Sequence, residues 1–326
     1  MSVRVAETPA PRGRAAIAAR IRDPSATGAE RRRRSLQIAL GLVWLLDGAL
    51  QLQPFMFGQH FVSAFLVGTQ AGNPQMIKSP MGWVAHLVLH NPAFFNTVFA
   101  LIQLGLAIGI LSRPTVKRAL AASVLWSLGV WWFGEGTGGV FSGGTPVMGY
   151  PGAVLLYALI ALLVWPSDRR STSVATSGPL GDGTAKALWL ILWASFVRFL
   201  LLSANRSPQA LNGALATMAA GEPQWEQSID NNLASALAHH GTQVSLMLAL
   251  LCAVVAIVVF VPALLKPGLV VAAVVALSWW VAQDFGGVFT AQGTDPNTGP
   301  LLVLLAATFW PLVPTRGDSA EREAEG

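Results

Sequence analysis

Residues 131–141, Trp131-Trp132-Phe133-Gly134-Glu135-Gly136-Thr137-Gly138-Gly139-Val140-Phe141, return 148 positions later as Trp279-Trp280-Val281-Ala282-Gln283-Asp284-Phe285-Gly286-Gly287-Val288-Phe289. The correspondence extends to both sides. At the same offset Pro114 falls on Pro262 and Arg118 on Lys266. One residue further apart, residues 71–75 (AGNPQ) fall on 220–224 (AGEPQ), Trp44 on Trp193 and His90 on His239. Both units close on Trp-Pro, at 165–166 and 310–311. A long internal period of this kind marks a duplicated structural unit. Here it carries a one-residue gap before Pro114 and a three-residue shortening after Phe289.

The solvent of that unit follows from composition. Of the 326 residues 53% are hydrophobic and 11% charged, against roughly a quarter charged in a soluble domain. A hydrocarbon core about 30 Å thick needs about 20 helical residues. Apolar stretches of that order run over about 36–56, 92–112, 115–133, 150–166, 187–204, 241–261, 267–284 and 299–313. The expected fold is therefore all-α: a polytopic membrane protein with eight transmembrane helices. Each unit holds four spans, an even number, so both enter from the same side. The two four-helix repeats are then parallel, related by a pseudo-two-fold axis along the membrane normal. The expected organisation is a basic disordered cytoplasmic arm (1–35), the first repeat (36–166), a Ser/Thr/Gly-rich cytoplasmic linker (167–186), the second repeat (187–314) and an acidic cytoplasmic tail (315–326).

The net charge of +5 sorts by side of the membrane. Nine of the 21 Lys and Arg precede residue 35, ending in Arg31-Arg32-Arg33-Arg34, and 18 fall in segments inside when both termini are cytoplasmic. This is the positive-inside pattern of a plasma-membrane protein. No aromatic interleaving accompanies the basic run, so nucleic acid is not an expected partner; the lipid bilayer is. The single cysteine, Cys252, lies in an apolar stretch. That excludes an internal disulfide, a CxxC pair and a thiolate metal cage.

The polar exceptions are the candidate sites. Asp47 sits about 16 Å into the first span, where a charge costs roughly 3 kcal/mol. Gln51 shares its face at i+4 and Trp44 flanks it. Its repeat position is Phe196, and Arg198, two residues further, is the expected partner across the halves, either as an interhelical clamp or beside a proton or ligand site. Glu135 matches Gln283, and Asp284 follows; both acids are placed to face a shared outer cavity. Trp131, Trp132, Trp279 and Trp280 read as an interfacial aromatic belt, and Gly138, Gly139, Gly286 and Gly287 as tight turns. His86 and His90 have the i, i+4 spacing of paired metal ligands, with His239 and His240 in the second half; a metal or haem site would need His60, Glu135 or Asp284 besides. Residues 57–80 and 206–240 are expected to form short helices on the outer surface. No Walker loop, GxGxxG, nucleophile elbow or HExxH is present.

The opening Val43-Trp44-Leu45-Leu46-Asp47-Gly48, running to Gln51-Leu52-Gln53-Pro54, resembles the DoxX-like family of small bacterial membrane proteins, here as two fused units. The resemblance covers 36–166 well and 187–313 weakly. It implies a bacterial plasma-membrane setting and a membrane or extracytoplasmic redox protein as partner. With one cysteine, the chain departs from any dithiol chemistry. Three readings follow: a non-catalytic subunit or accessory factor of an extracytoplasmic redox or respiratory system, in contact with quinone; a small-solute or metal transporter with a path between the repeats; and a membrane enzyme with an outer His/acid metal or haem site. No resident cofactor is expected under the first.

Overall fold

The computed structural model describes residues 24–169, 171–218 and 223–312, and among them every regular element is helical. In chain order the helices are α1 (Pro24–Leu50), α2 (Gln75–His90), α3 (Pro92–Leu111), α4 (Val116–Phe133), α5 (Ala153–Leu163), α6 (Gly181–Leu200), α7 (Ala210–Met218), α8 (Gln224–Ala236), α9 (Gly241–Ile257), α10 (Pro262–Ala282) and α11 (Thr298–Phe309). Each apolar stretch expected to span carries one of them.

The two halves pair their helices alike. α1 packs along α3 and α4 along α5; α6 packs along α9 and α10 along α11. Helix starts recur as well: Gln75 and Gln224, and Pro92 and Gly241, are 149 residues apart, and Ala153 and Thr298 are 145 apart. α5 lies against α11, and α11 also touches α1, so the fourth helix of each half forms the seam between them. Most residues of these two helices are buried. They are short, about 16–18 Å at 1.5 Å per residue. Enclosed by longer neighbours, they need not match the thickness of the surroundings, and their N-terminal ends stop at a cavity.

By length and composition, α3, α6, α9 with its closing turn to Phe260, and α10 are long and apolar enough to cross a membrane; α5 and α11 are shorter apolar helices. The outward flanks of the long helices carry Leu101, Ile108, Ile191, Leu250, Val254 and Val274, all exposed. A continuous apolar exterior is unfavourable in water and natural in lipid, where helices satisfy every backbone group internally.

Two expected connections differ. The arm expected to be disordered through residue 35 is helical from Pro24, and Arg33 is only 5% exposed. Its Nη1 and Nη2 donate to Ser167 O at 2.8 Å and Ser177 Oγ at 2.7 Å. Arg34 donates to Ile110 O and Leu111 O at the carboxyl end of α3. Cations are favoured at a helix C-terminus, where carbonyls lack internal partners, so these arginines tie the helix extension down. The linker is likewise no loose tether. Ser173, Val174, Ala175, Thr176 and Ser177 are buried, Ala175 N–H donates to Thr308 O, and Leu312 N–H to Thr172 O. The segment plugs the end of the bundle beside Arg33 and Thr308. The acidic tail 315–326 lies outside the described residues.

Candidate outer cavity and the polar seam beneath it

Glu135 and Gln283 occupy equivalent positions just beyond α4 and α10, and each reaches the start of the short helix that follows in its half. Glu135 Oε1 accepts from Val154 N–H of α5 at 3.3 Å. Gln283 Nε2 donates to Thr298 Oγ1 of α11 at 2.9 Å and, across the halves, to Pro146 O at 3.1 Å. Free N–H groups at a helix start favour a carboxylate oxygen, which Glu135 supplies to α5, whereas Gln283 bonds the Thr298 hydroxyl and the Thr298 N–H donates to Asn297 Oδ1 at 2.7 Å.

The turns that follow have the same unusual backbone. Gly136, Thr137, Gly138 and Gly139 all have φ between 54° and 65°, and Asp284, Phe285, Gly286 and Gly287 have φ between 51° and 75°. This left-handed run brings the chain onto the loop before the short helix. A Cβ on Gly138 would stand 1.5 Å from Pro151 O, and one on Gly286 2.5 Å from Pro296 C. Only glycine fits at either close approach. The expected tight turns are present. The expected belt is not: among the four tryptophans only Trp132 is exposed, whereas Trp131 donates from Nε1 to Pro151 O at 2.8 Å and Trp279 is buried against Trp193 and Phe196. Trp131 braces its turn from within through that bond, and Trp280 packs edge to face on Phe285 of the other turn at 5.2 Å between centroids.

Between the two turns lies a cavity of about 420 Å³. Glu135, Tyr150 and Gly152 line it from the first half, Gln283, Asp284, Asp295 and Asn297 from the second, and Phe65 and Thr69 cover it from the 59–70 stretch. Asp295 Oδ1 accepts from Asn297 N–H at 2.7 Å and Oδ2 from Thr294 Oγ1 at 3.0 Å. Burial holds the Glu135 carboxyl well above the usual carboxylate range, and the neighbouring Asp295 adds to this against the N–H groups of Val154 and Ala153. Burial also raises Asp295, opposed by its bonds to Asn297 and Thr294. Glu135 Oε2 is buried without a hydrogen-bond partner.

Beneath the cavity, the first half contains a buried polar seam. Asp47 is 2% exposed and lies beside the Tyr157 hydroxyl, yet neither Asp47 Oδ1 nor the Tyr157 hydroxyl closes a well-aligned hydrogen bond. Tyr157 packs on Trp44 at 4.4 Å between ring centroids, and Trp44 Nε1 donates to Ser123 Oγ at 3.0 Å. Gln51 and Asn96 join α1 to α3: Gln51 Nε2 donates to Asn96 Oδ1 at 2.5 Å and Asn96 Nδ2 to Gln51 O at 2.9 Å.

The expected Asp47–Arg198 pair does not form. Arg198 is exposed, donates to Val140 O at 3.3 Å and stacks over Phe199. Two residues beyond Phe196 is about 200° around a helix, so when Phe196 points into the core Arg198 points out. The histidines are not brought to the cavity. His90 Nδ1 lies 2.8 Å from His86 O and the rings meet edge to face; His239 Nδ1 meets Gln209 Nε2 at 2.9 Å. His240 precedes the start of α9. No group of three or more His, Cys, Asp or Glu among the described residues is arranged to hold a metal ion.

Tyr157 and Asp295 were not singled out as site residues by motif. The chain has only two tyrosines, Tyr150 and Tyr157, and both lie at the cavity or its floor. Residues 150–151 and 295–296, Tyr-Pro and Asp-Pro, are equivalent once the three-residue shortening is carried through, so continuing the repeat past Phe289 points to both. No protein-family model, curated protein or solved structure matches the chain.

Proposed function

We propose that the chain is a carrier of the bacterial plasma membrane that takes a small organic cation into the outer cavity, crossing eight times as two parallel four-helix repeats with both termini cytoplasmic. The observation that carries this reading is the cavity itself, with Glu135 and Asp295 brought together from loops of the two halves. Its volume falls within the roughly 300–1,000 Å³ of small-molecule sites. The recurrence of helix starts and of the left-handed turns supports the repeat, and the sorted cations support the orientation.

An ammonium group offers three donors to an unpartnered carboxylate oxygen and lowers the cost of ionising the buried acids around it. Burial favours the neutral form of Glu135 and Asp295 in the empty cavity, and an arriving amine favours their ionised form, so binding is coupled to proton release and tightens as pH rises. Below the floor, Leu40, Leu120 and Ile160 are fully buried, and residues 171–178 close the inner end. This is the arrangement of an outward-open state. The seam through Asp47 and Tyr157 is the polar part of the path between the halves.

The full chain in lipid nanodiscs is titrated with butylammonium, 1,4-diaminobutane and the neutral 1,4-butanediol while the melting midpoint is followed, and uptake of the labelled diamine is measured in proteoliposomes. The amines raise the midpoint, the diol does not, and Glu135→Gln with Asp295→Asn removes the response and the uptake. If no amine shifts the midpoint and a haem- or flavin-bearing protein co-elutes in mild detergent, the carrier reading fails and the accessory role implied by the DoxX-like resemblance replaces it.

A further inference from the structure

A second crevice, about 880 Å³, opens at the opposite end of the molecule from the acidic cavity. Its walls come from three places: the extended start of α1, the turn between α3 and α4, and the chain leaving α5. Arg31, Arg33, Arg34 and Arg113 line it against two acids, Glu30 and Asp168. Four guanidinium groups against two carboxylates leave an excess of positive charge.

Arg33 marks this as a built site. The residue lines the crevice and is only 5% exposed; its two terminal nitrogens are committed to Ser167 O and Ser177 Oγ, but its Nε is buried without a hydrogen-bond partner. Leaving a buried donor of a charged group unmade is costly, on the order of 1–3 kcal/mol. An acceptor from outside the chain would satisfy it. Arg113 stands on the other wall, exposed at the end of α3. The arginines near it are fixed: Arg34 is held by the last carbonyls of α3, and Gln37 Nε2 beside it donates to Val164 O at 2.9 Å. A rigid planar donor set of this kind matches phosphate oxygens, which accept from guanidinium groups in paired bonds.

We propose that this crevice binds a phosphate-bearing anion, bridging Arg33 on α1 and Arg113 at the α3–α4 turn. Two sources offer that chemistry. With the cations on the cytoplasmic side, the crevice lies at headgroup level of a leaflet rich in anionic lipid, and basic pockets between spanning helices recruit such headgroups. Its volume has room for a glycerol phosphodiester. Free inorganic phosphate or a soluble phosphate ester is the other source. Because Arg33 also holds Ser177 of the inner plug, an occupied crevice fastens the plug to α1.

The test uses the full chain in mild detergent, with the melting midpoint and native mass spectrometry as readouts. The additions are phosphatidylglycerol, cardiolipin, zwitterionic phosphatidylethanolamine, glycerol phosphate and inorganic phosphate. The expected result is a rise in midpoint and retained adducts with the anionic lipids but not with phosphatidylethanolamine, and a loss of affinity of about three- to tenfold in Arg113→Gln with recovery in Arg113→Lys, as expected for about 1 kcal/mol per cation near the surface. Arg33→Gln gives a larger loss, but it also removes two internal bonds, so Arg113, which anchors nothing, carries the decision. Equal shifts from inorganic phosphate or glycerol phosphate assign the site to a soluble anion. No anion-specific shift, or an undiminished one in Arg113→Gln, overturns the proposal.

Discussion

The cores of the two halves share a frame and differ in content. Where the first half holds Asp47, Tyr157, Ser123 and Ser127, the second holds Phe196, Leu302, Val271 and Val275 at the equivalent positions. In the second, Trp193, Phe196 and Trp279 close an aromatic cluster with centroids 5.2–6.4 Å apart. The same helix pairing and the same left-handed turn surround both. A fold that is built once from apolar side chains does not need the polar set for its own sake. The seam in the first half is therefore a cost that the shared frame does not require.

The hardest test of that contrast is to move the acid. Phe196→Asp puts a carboxyl into an aromatic core between Trp193 and Trp279 and is expected to cost about 3 kcal/mol or more, read as a collapse of the folded yield and of the unfolding midpoint in detergent. If the variant folds normally, the second core is wetter than its side chains imply.

The turns break the symmetry less. Gly138→Ala is expected to cost about 2–3 kcal/mol, because its Cβ meets the Pro151 carbonyl in a left-handed conformation, and Gly286→Ala to cost less, because its contacts are looser. Equal midpoints for the two would mean that the loops before α5 and α11 yield equally.

Titration sharpens the comparison next. Glu135 is an acid where the second half has Gln283, and both Glu135 and Asp295 are raised by burial. A group whose folded pKa lies above its unfolded value contributes stability that is complete below the ordinary carboxylate range and lost as pH rises through the raised value. The melting midpoint of the empty protein therefore falls from acid toward neutral pH, and Glu135→Gln flattens that fall. A slope unchanged in the variant would place the titration elsewhere.

Smaller effects are expected from the seam itself. Asp47→Leu, which makes the first core resemble the second, should leave stability within about 1 kcal/mol of the parent, since replacing a poorly partnered buried polar group by an apolar one is often neutral or better, while abolishing solute uptake. A large loss of stability would make Asp47 a structural clamp. Arg198→Gln is the smallest, about 0.5 kcal/mol or less, because the side chain is exposed and bonds one carbonyl.

How much of this was legible can be argued residue by residue. Glu135 and Asp284 were placed at one outer cavity from the repeat and the topology, and both line it. Asp47 stood out because its transfer cost is a property of one residue at one depth. Its expected partner is wrong because pairing depends on helix rotation: Arg198 is close to Phe196 along the helix and nearly opposite around it. Tyr157 and Ser123 passed unnoticed because a tyrosine or a serine in an apolar run is cheap and common, and only the meeting of α1, α4 and α5 makes them a set. Residues 171–178 looked like a solvated linker because Ser and Thr are ordinary loop residues; their burial is decided by hydrogen bonds to Thr308 and Arg33.

By itself the sequence determined the helices and the apolar exterior, because hydropathy is additive along a chain and needs no partner to be read. Tertiary structure alone decided which acids share a cavity, which carboxyl meets a tyrosine and which arginine holds the inner plug. Those are contacts between elements distant in the chain, set by how helices rotate and pack against one another, and no local pattern encodes them.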